Sequence, residues 1–365
     1  LKKKQWILGI IVLIAIAAIL IWGRDRIHFD FAVFRAQLAG ADWTKIAIGF
    51  ACIYLGYVLR GVRWAMLLRH NKKVGPFSLL GTQVIGFTAV ALIGRVADPV
   101  RPYLVSKKTG LTLSTQIAVY IVERLFDAGS MALIFSSVIL YTVWFGQPGD
   151  LPHIEIVKKA GYWGMGLTIA GALFLVLVRL AGNLVANFFE STLGLASKKL
   201  GHAVAEKVRS FHAGLDTMRS FGDFAITASL SIFMWLVITV AYLETMQAFT
   251  GSKELVAMTL PKSMLMLAFS GGASVFQLPI LGWFTQIGLV AAAMANFYGV
   301  GSEAATACAA MLLIVSFLGV VPIGLIWAQV DHISLRQITT ESEQAADVAP
   351  ADPLDRKPNS PEPAS

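Results

Sequence analysis

Most of the chain is built from long apolar blocks rather than from alternating polar and apolar positions. Blocks at 6–22, 43–59, 77–93, 111–145, 161–180, 224–249 and 258–296 carry few charges. A membrane-spanning helix needs about 20 consecutive apolar residues, which predicts spans at 5–23, 43–68, 111–145, 160–181, 224–249 and 303–328. The block at 6–22 is too long for a cleavable leader and follows Lys2-Lys3-Lys4, so a retained helix is expected. Two blocks are interrupted. Gly81, Gly86, Gly94, Pro99 and Pro102 break up 77–108, and Gly271, Gly272, Pro279 and Gly282 break up 258–298. Proline cannot continue a helical hydrogen-bond ladder, so each stretch is expected to form a broken or re-entrant hairpin. Between 183 and 222 the pattern changes. Leu200, Val204, Val208, Phe211, Leu215 and Met218 recur at spacings of four and three among lysines and arginines. That predicts an amphipathic cytoplasmic connector lying apolar side down in the interface, with a helix hairpin as the alternative.

Charge gives these elements a direction. Arg60, Arg63, Arg69, His70, Lys72 and Lys73 crowd the end of the second apolar block, which belongs in the cytoplasm by the positive-inside rule. A full crossing at 77–93 would place Arg95, Arg101, Lys107 and Lys108 outside; a hairpin that turns back keeps them inside. The chain then reads as two halves in the order helix, broken hairpin, helix: 43–68, 77–108 and 111–145, then 224–249, 258–298 and 303–328. The first half starts outside and the second inside. The expected fold is an all-α integral membrane protein, a polytopic helical bundle with two inverted halves inside a domain covering 1–333. Both termini are expected on the cytoplasmic face of the inner membrane.

Composition supports a membrane solvent. Of 365 residues, 56% are apolar and 14% charged, with a mean hydropathy of +0.68, where soluble domains are about a quarter charged. The formal charge of +8 includes a stretch from Glu341 onward with six acids and two bases, so the rest of the chain is strongly basic. The 334–365 tail is acidic and proline-rich and is expected to be disordered. Basicity on such a chain points to anionic lipid rather than nucleic acid. Cys52 and Cys308 lie in apolar runs without ligand-like neighbours, and no metal, nucleotide or nucleophile motif is present, so neither a cofactor nor an enzymatic activity is expected.

The candidate site lies where charge interrupts the apolar pattern. Arg95, Asp98 and Arg101 sit in the first break, and Glu123, Arg124 and Asp127 follow within an apolar helix. Glu123 and Asp127 share a helix face, and Arg124 can pair with Asp127. Ionisable groups at membrane depth are costly and face a partner, a cavity or a substrate. A lipid head-group site competes here with a charged cytoplasmic turn and with an internal salt bridge. Arg60 and Arg63, one helical turn apart, are secondary candidates, either for head groups or as interface anchors. Pro279 and Gln286 in the second break are the other secondary candidates.

The ordered set Arg63-Trp64, Arg95 to Arg101 and Glu123-Arg124-Leu125-Phe126-Asp127 resembles the flippase-like membrane domain of lysylphosphatidylglycerol synthases. That family has Arg-x-Gly-Glu-x-x-Arg followed by Glu-Arg-x-x-Asp. Here Ala97 and Asp98 replace its Gly-Glu, and its Pro-Gly-Gly-x-Gly-x-x-Glu run is echoed by 279–286, which ends in Gln286 rather than glutamate. The resemblance implies movement of a phospholipid or polyprenyl-phosphate lipid between leaflets. The physical reading of the residues agrees: Arg95 and Arg101 are expected to hold the phosphate, Arg offering several donors in a fixed fork, and Asp98, Glu123 and Asp127 to orient them or meet a cationic head. No aminoacyl-transferase domain follows, so a stand-alone domain is expected. The alternative is a non-transporting scaffold for a separate lipid-modifying enzyme. A second copy of the chain is a further candidate partner.

Overall fold

The computed structural model describes residues 30–145, 154–195, 197–215, 220–273 and 281–331. The predicted first span at 5–23, the 334–365 tail and Pro279 lie outside them. The described residues are all helical, without strands. Helix α1 (Phe31–Ala39) leads into α2 (Trp43–Leu68), capped by Asp42, whose carboxylate accepts from the amides of Thr44 and Lys45. α3 (Pro76–Ile93) and α4 (Val100–Thr109) form the first broken hairpin, and α5 (Leu113–Phe145) and α6 (Ile154–Gly194) are long. α7 (Lys198–Leu215) and α8 (Phe221–Gln247) follow, then the single turn α9 (Lys253–Val256). α10 (Leu260–Ala273) and α11 (Leu281–Tyr298) are the arms of the second break. The last segment is α12 (Ser302–Leu313), a π-helical turn (Ile314–Leu318) and α13 (Val320–Val330).

The bundle is built on α2 and α8 running antiparallel along their length. At one end the Asp42 amide donates to the Ala248 carbonyl at 2.8 Å, and Lys45 pairs with Glu244 at 3.3 Å. At the other end Arg69 and His70 both reach Asp223, which also closes the capping box with Ser220 that starts α8. The antiparallel pair therefore has an acidic end and a basic end. The acidic end carries Asp30, Asp42, Glu244 and Glu303, and there the Asp30 amide donates to Glu303 at 3.4 Å. Trp43, Trp144 and Trp163 are exposed at this end, as aromatic residues are at a membrane interface.

The first break turns back on itself. Gly94 ends α3 with φ +89° and ψ −168°, a region essentially closed to residues with a Cβ. Three residues of 3-10 helix follow, and Pro99 and Pro102 sit at the cap and first turn of α4, where proline is tolerated. The Lys72 amine, just before α3, donates to the Thr109 carbonyl at the end of α4 at 2.7 Å. The chain thus leaves the hairpin at the end where it entered. At about 1.5 Å per residue, the 10 residues of α4 cover only about 15 Å, half a bilayer core.

Two features depart from the sequence expectations. Residues 183–194 continue α6, and α7 folds back against them. Gly201 packs on the Glu190 carbonyl, and Glu190 takes His202 at 3.0 Å and Arg209 at 2.6 Å. The 183–222 interfacial connector is therefore replaced by a helix hairpin over its described residues, because part of the α7 stripe finds an apolar partner in α6: Val208, with Ala205 beside it, is buried with Val178 and Ala186, while Leu200 stays exposed. The 303–328 span holds as one segment, Ser302–Val330, but carries an unforeseen π turn, where the Gly319 amide bonds the Ile314 carbonyl at 2.6 Å and the Tyr54 hydroxyl donates to Gly319 O at 2.6 Å. Among the described residues, five helices are long and apolar enough to cross a membrane, six with the bent α6. They include Pro76–Ile93 itself, together with the predicted segments after the first.

Small residues allow the closest approaches. Gly324 of α13 lies directly on Thr88 of α3, and a Cβ on Gly81 would meet the Trp327 indole nitrogen at 2.7 Å. Gly324→Val is expected to lower stability by about 1–3 kcal/mol through overpacking, read as an earlier melting transition in detergent. An unchanged transition would mean α3 and α13 do not meet this closely.

Candidate functional site

The apolar helices converge on a buried group of charges. Arg63 of α2 is fully buried, its Nη2 donating to Glu123 Oε1 at 2.8 Å and its Nη1 to Asp127 Oδ1 at 2.7 Å. The same Nη1 is 2.7 Å from Ser231 Oγ on α8. Arg101 of α4 meets the other Glu123 oxygen at 2.6 Å, and its Nε and Nη2 both donate to Gln83 of α3 at 3.1 and 2.7 Å. Glu123 therefore bridges two arginines from different helices. The spacing of Glu123 and Asp127, one turn apart on α5, is what lets Arg63 take both.

Aromatic faces complete the shell around these cations. The Arg101 guanidinium lies 4.5 Å from the Phe87 ring centre, 5.1 Å from Trp64 and 5.5 Å from Tyr120. Trp64 is held by its indole N–H, 2.9 Å from Gln116 Oε1. Gly86 makes this approach possible, since any Cβ there would strike the Arg101 side chain. Planar, weakly hydrated guanidinium suits such stacking better than an ammonium.

Beside this core lies a cavity of about 170 Å³. Arg60, Arg124, Arg95 and Asp98 supply charge to its wall from the first half of the chain. Tyr242, Ser270, Gln286 and Ser316 supply polar groups from the second. Arg60 is 8% exposed, stacks on Phe87 at 5.0 Å and makes no ion pair among the described residues. Arg124 is 3.3 Å from Asp127 and stacks on Tyr120 at 5.2 Å. Arg95 and Asp98 pair loosely at 3.8 Å and are the more exposed end of the lining. Across from them, Ser270 Oγ accepts from the Tyr242 hydroxyl at 2.8 Å and from Gln286 Nε2 at 2.7 Å.

A family model, that of the lysylphosphatidylglycerol synthase TM region, matches residues 6–324. The chain belongs to this family. The match takes in all the residues of the charged core and of the cavity wall. No curated protein and no solved structure matches the chain. The membership fixes an integral membrane protein of a lipid-related family and leaves the roles of individual residues to the geometry.

That geometry divides the lysylphosphatidylglycerol-synthase-like set in two. Arg63, Arg101 and Glu123 are inside the protein, the two arginines joined through Glu123, and Asp127 is 5% exposed beside them. Arg101, expected from the sequence to hold a phosphate, instead directs its donors at Gln83 and Glu123. Arg60, Arg95, Asp98, Arg124 and Gln286 face the cavity. Sequence reasoning missed Gln83, Gln116 and Ser231, which support the arginines, and Tyr242, Ser270, Ser316 and Trp235, which line the wall. Gln83 and Gln116 were findable, since an amide inside an apolar run requires a partner. The hydroxyls were not, because a serine in a membrane helix can bond its own backbone, as Ser316 does with Leu312 O, and a tyrosine there reads as one more aromatic of the apolar run. The described residues hold no His, Cys, Asp and Glu group suited to a metal ion.

Removing one partner from a buried pair leaves the other charge uncompensated, at about 3–5 kcal/mol. Arg63→Ala is expected to destabilise by that amount in denaturant titrations of detergent-solubilised protein. Arg60→Gln should cost about 2 kcal/mol, the scale of one desolvated cation–π contact. Equal losses in the two variants would show that the ion pairs do not hold the bundle.

Proposed function

We propose that this membrane domain moves an anionic phospholipid or polyprenyl-phosphate lipid between leaflets, with the cavity as its head-group site. One observation carries the reading: helices flanking both breaks line the same cavity. The α3–α4 turn brings Arg95 and Asp98 to it, and α10 and α11 bring Ser270 and Gln286. Interrupted segments in corresponding positions of two halves are where transporters bind substrate. The antiparallel run of α2 against α8 supports inverted halves, and the π turn beside Ser316 adds a third irregular segment to the same place.

In this reading the arginines have two tasks. Arg60, Arg95 and Arg124 meet the phosphate, with Arg offering several donors in a fixed fork. Arg63 and Arg101 are positioning residues: by clamping Glu123 and Asp127 they fix the face of α5 that carries Arg124. The end bearing Arg69, Lys72, Lys73, Lys107 and Lys108 is cytoplasmic by the positive-inside rule, in the bacterial-type inner membrane implied by the family's lipid. The re-entrant hairpin then opens from the cytoplasmic side, and its break with Arg95 lies at membrane depth. The protein does no bond-making chemistry; it lowers the cost of carrying a charged head through hydrocarbon.

Leaflet exchange of fluorescent anionic lipid in proteoliposomes tests this. Fast exchange is expected with the wild type. Arg60→Gln and Arg124→Gln should each slow it by about tenfold or more, since a hydrogen bond to a charged group is worth about 1.5–3 kcal/mol. Absence of exchange by folded protein with every anionic lipid tried would favour a non-transporting scaffold for a separate lipid-modifying enzyme.

A further inference from the structure

We infer that the cavity is built for a phosphate monoester, the bare terminal phosphate of a lipid, and discriminates against phosphodiester and aminoacylated heads. This rests on the cavity being the head-group site and names the ligand class.

Charge is the first observation. Four arginines, Arg60, Arg63, Arg101 and Arg124, surround two carboxylates, Glu123 and Asp127. Arg95 and Asp98 offset each other. The group therefore carries two positive charges that its own side chains do not balance, beside a cavity in an apolar bundle. A phosphate monoester near neutral pH carries about −1.5 to −2. A phosphodiester supplies half of that, and a lysyl ester of phosphatidylglycerol adds cations where cations are already in excess.

The second observation is the polarity of the groups without partners. Arg60 Nε, Arg124 Nε and Trp235 Nε1 are buried and find no acceptor among the described residues. They come from three helices, α2, α5 and α8, all of which line the cavity. All three atoms are donors, as is Arg124 Nη2; the neighbouring acceptor without a hydrogen bond, Asp127 Oδ2, lies 3.3 Å from that Nη2. A buried donor without an acceptor costs about 1–3 kcal/mol, so the site is complete only with a ligand rich in acceptors. Terminal phosphate oxygens are such acceptors, and an ammonium is not. The hydroxyl and amide groups on the far wall are already bonded to one another through Ser270, so no unsatisfied cluster waits for a sugar or glycerol.

Size agrees with charge. About 170 Å³, at about 10–15 Å³ per water on the same measure, has ample room for a phosphate. Ile53, Val90, Ile238 and Leu267 make much of the remaining wall apolar. That surface suits the first methylenes of a chain attached to the phosphate, and favours a lipid over free phosphate.

The test is equilibrium binding to the detergent-solubilised full chain, by calorimetry, of four probes. These are dioctanoyl phosphatidic acid, dioctanoyl phosphatidylglycerol, its lysyl ester and inorganic phosphate. Phosphatidic acid is expected to bind at least tenfold more tightly than phosphatidylglycerol, with the lysyl ester weaker still. Arg60→Gln should remove that preference by weakening phosphatidic acid selectively. Inorganic phosphate should compete weakly; affinity equal to that of phosphatidic acid would keep the monoester chemistry and assign the site to a soluble ligand. Equal affinity for the two phospholipids, or tightest binding of the lysyl ester, would overturn the inference. The monoester preference without leaflet exchange would sink transport and leave this inference standing. Exchange of phosphatidylglycerol without the preference would do the reverse.

Discussion

The structure depends on the bidentate contact of Arg63 with Glu123 and Asp127, extended by Arg101. These charges lie where neither water nor lipid head groups reach, and each would be prohibitive alone. Taken together they tie α2, α4, α5 and α8 at one point, because Arg63 also reaches Ser231 and Arg101 shares Glu123. A buried ion pair adds little net stability over an apolar replacement. Its consequence is register: only one axial placement of α5 against α2 puts both carboxylates on one guanidinium. In a bundle where lipid and protein interior are equally apolar, hydrophobic burial cannot select among sliding alternatives, and directional charge contacts can.

The first hairpin follows from the same point. Arg101 can enter the core only because Gly86 leaves a space for its stem and Gly94 permits the reversal of the chain. Break, small residue and charge are therefore parts of one arrangement. Its outcome is that the turn before α4 presents Arg95 and Asp98 to the cavity. Irregular backbone in an apolar bundle is tolerated where it lines a polar space, and this turn lines the cavity.

The cavity wall is shared by the two halves in an uneven way. The first half contributes the cations, and the second contributes hydroxyls and an amide already joined to one another. A ligand entering this space meets donors on one side and a largely apolar wall with a quiet polar patch on the other. The asymmetry distinguishes the cavity from a symmetric transporter site and underlies the proposed preference for compact, highly charged heads.

Much was legible in the sequence by itself. The apolar blocks fixed an all-helical membrane protein, because hydrocarbon leaves the backbone no partner but itself. Glycine and proline marked both breaks, and the basic residues marked which end of the bundle belongs together. The charged residues of the site were visible as violations of the apolar pattern. What the sequence left open was which of them touch each other and which touch a ligand. Arg60 and Arg63 lie one turn apart on the same helix, yet one faces the cavity and the other two carboxylates. Arg101 reads as a phosphate ligand by motif and is a core residue in space. Only the tertiary packing decides such cases, because a guanidinium's role is set by where its donors find acceptors, and those acceptors come from helices distant in sequence. The stripe on α7 was ambiguous for the same reason: an amphipathic face specifies that it must be covered, and the fold determines whether lipid or a neighbouring helix covers it.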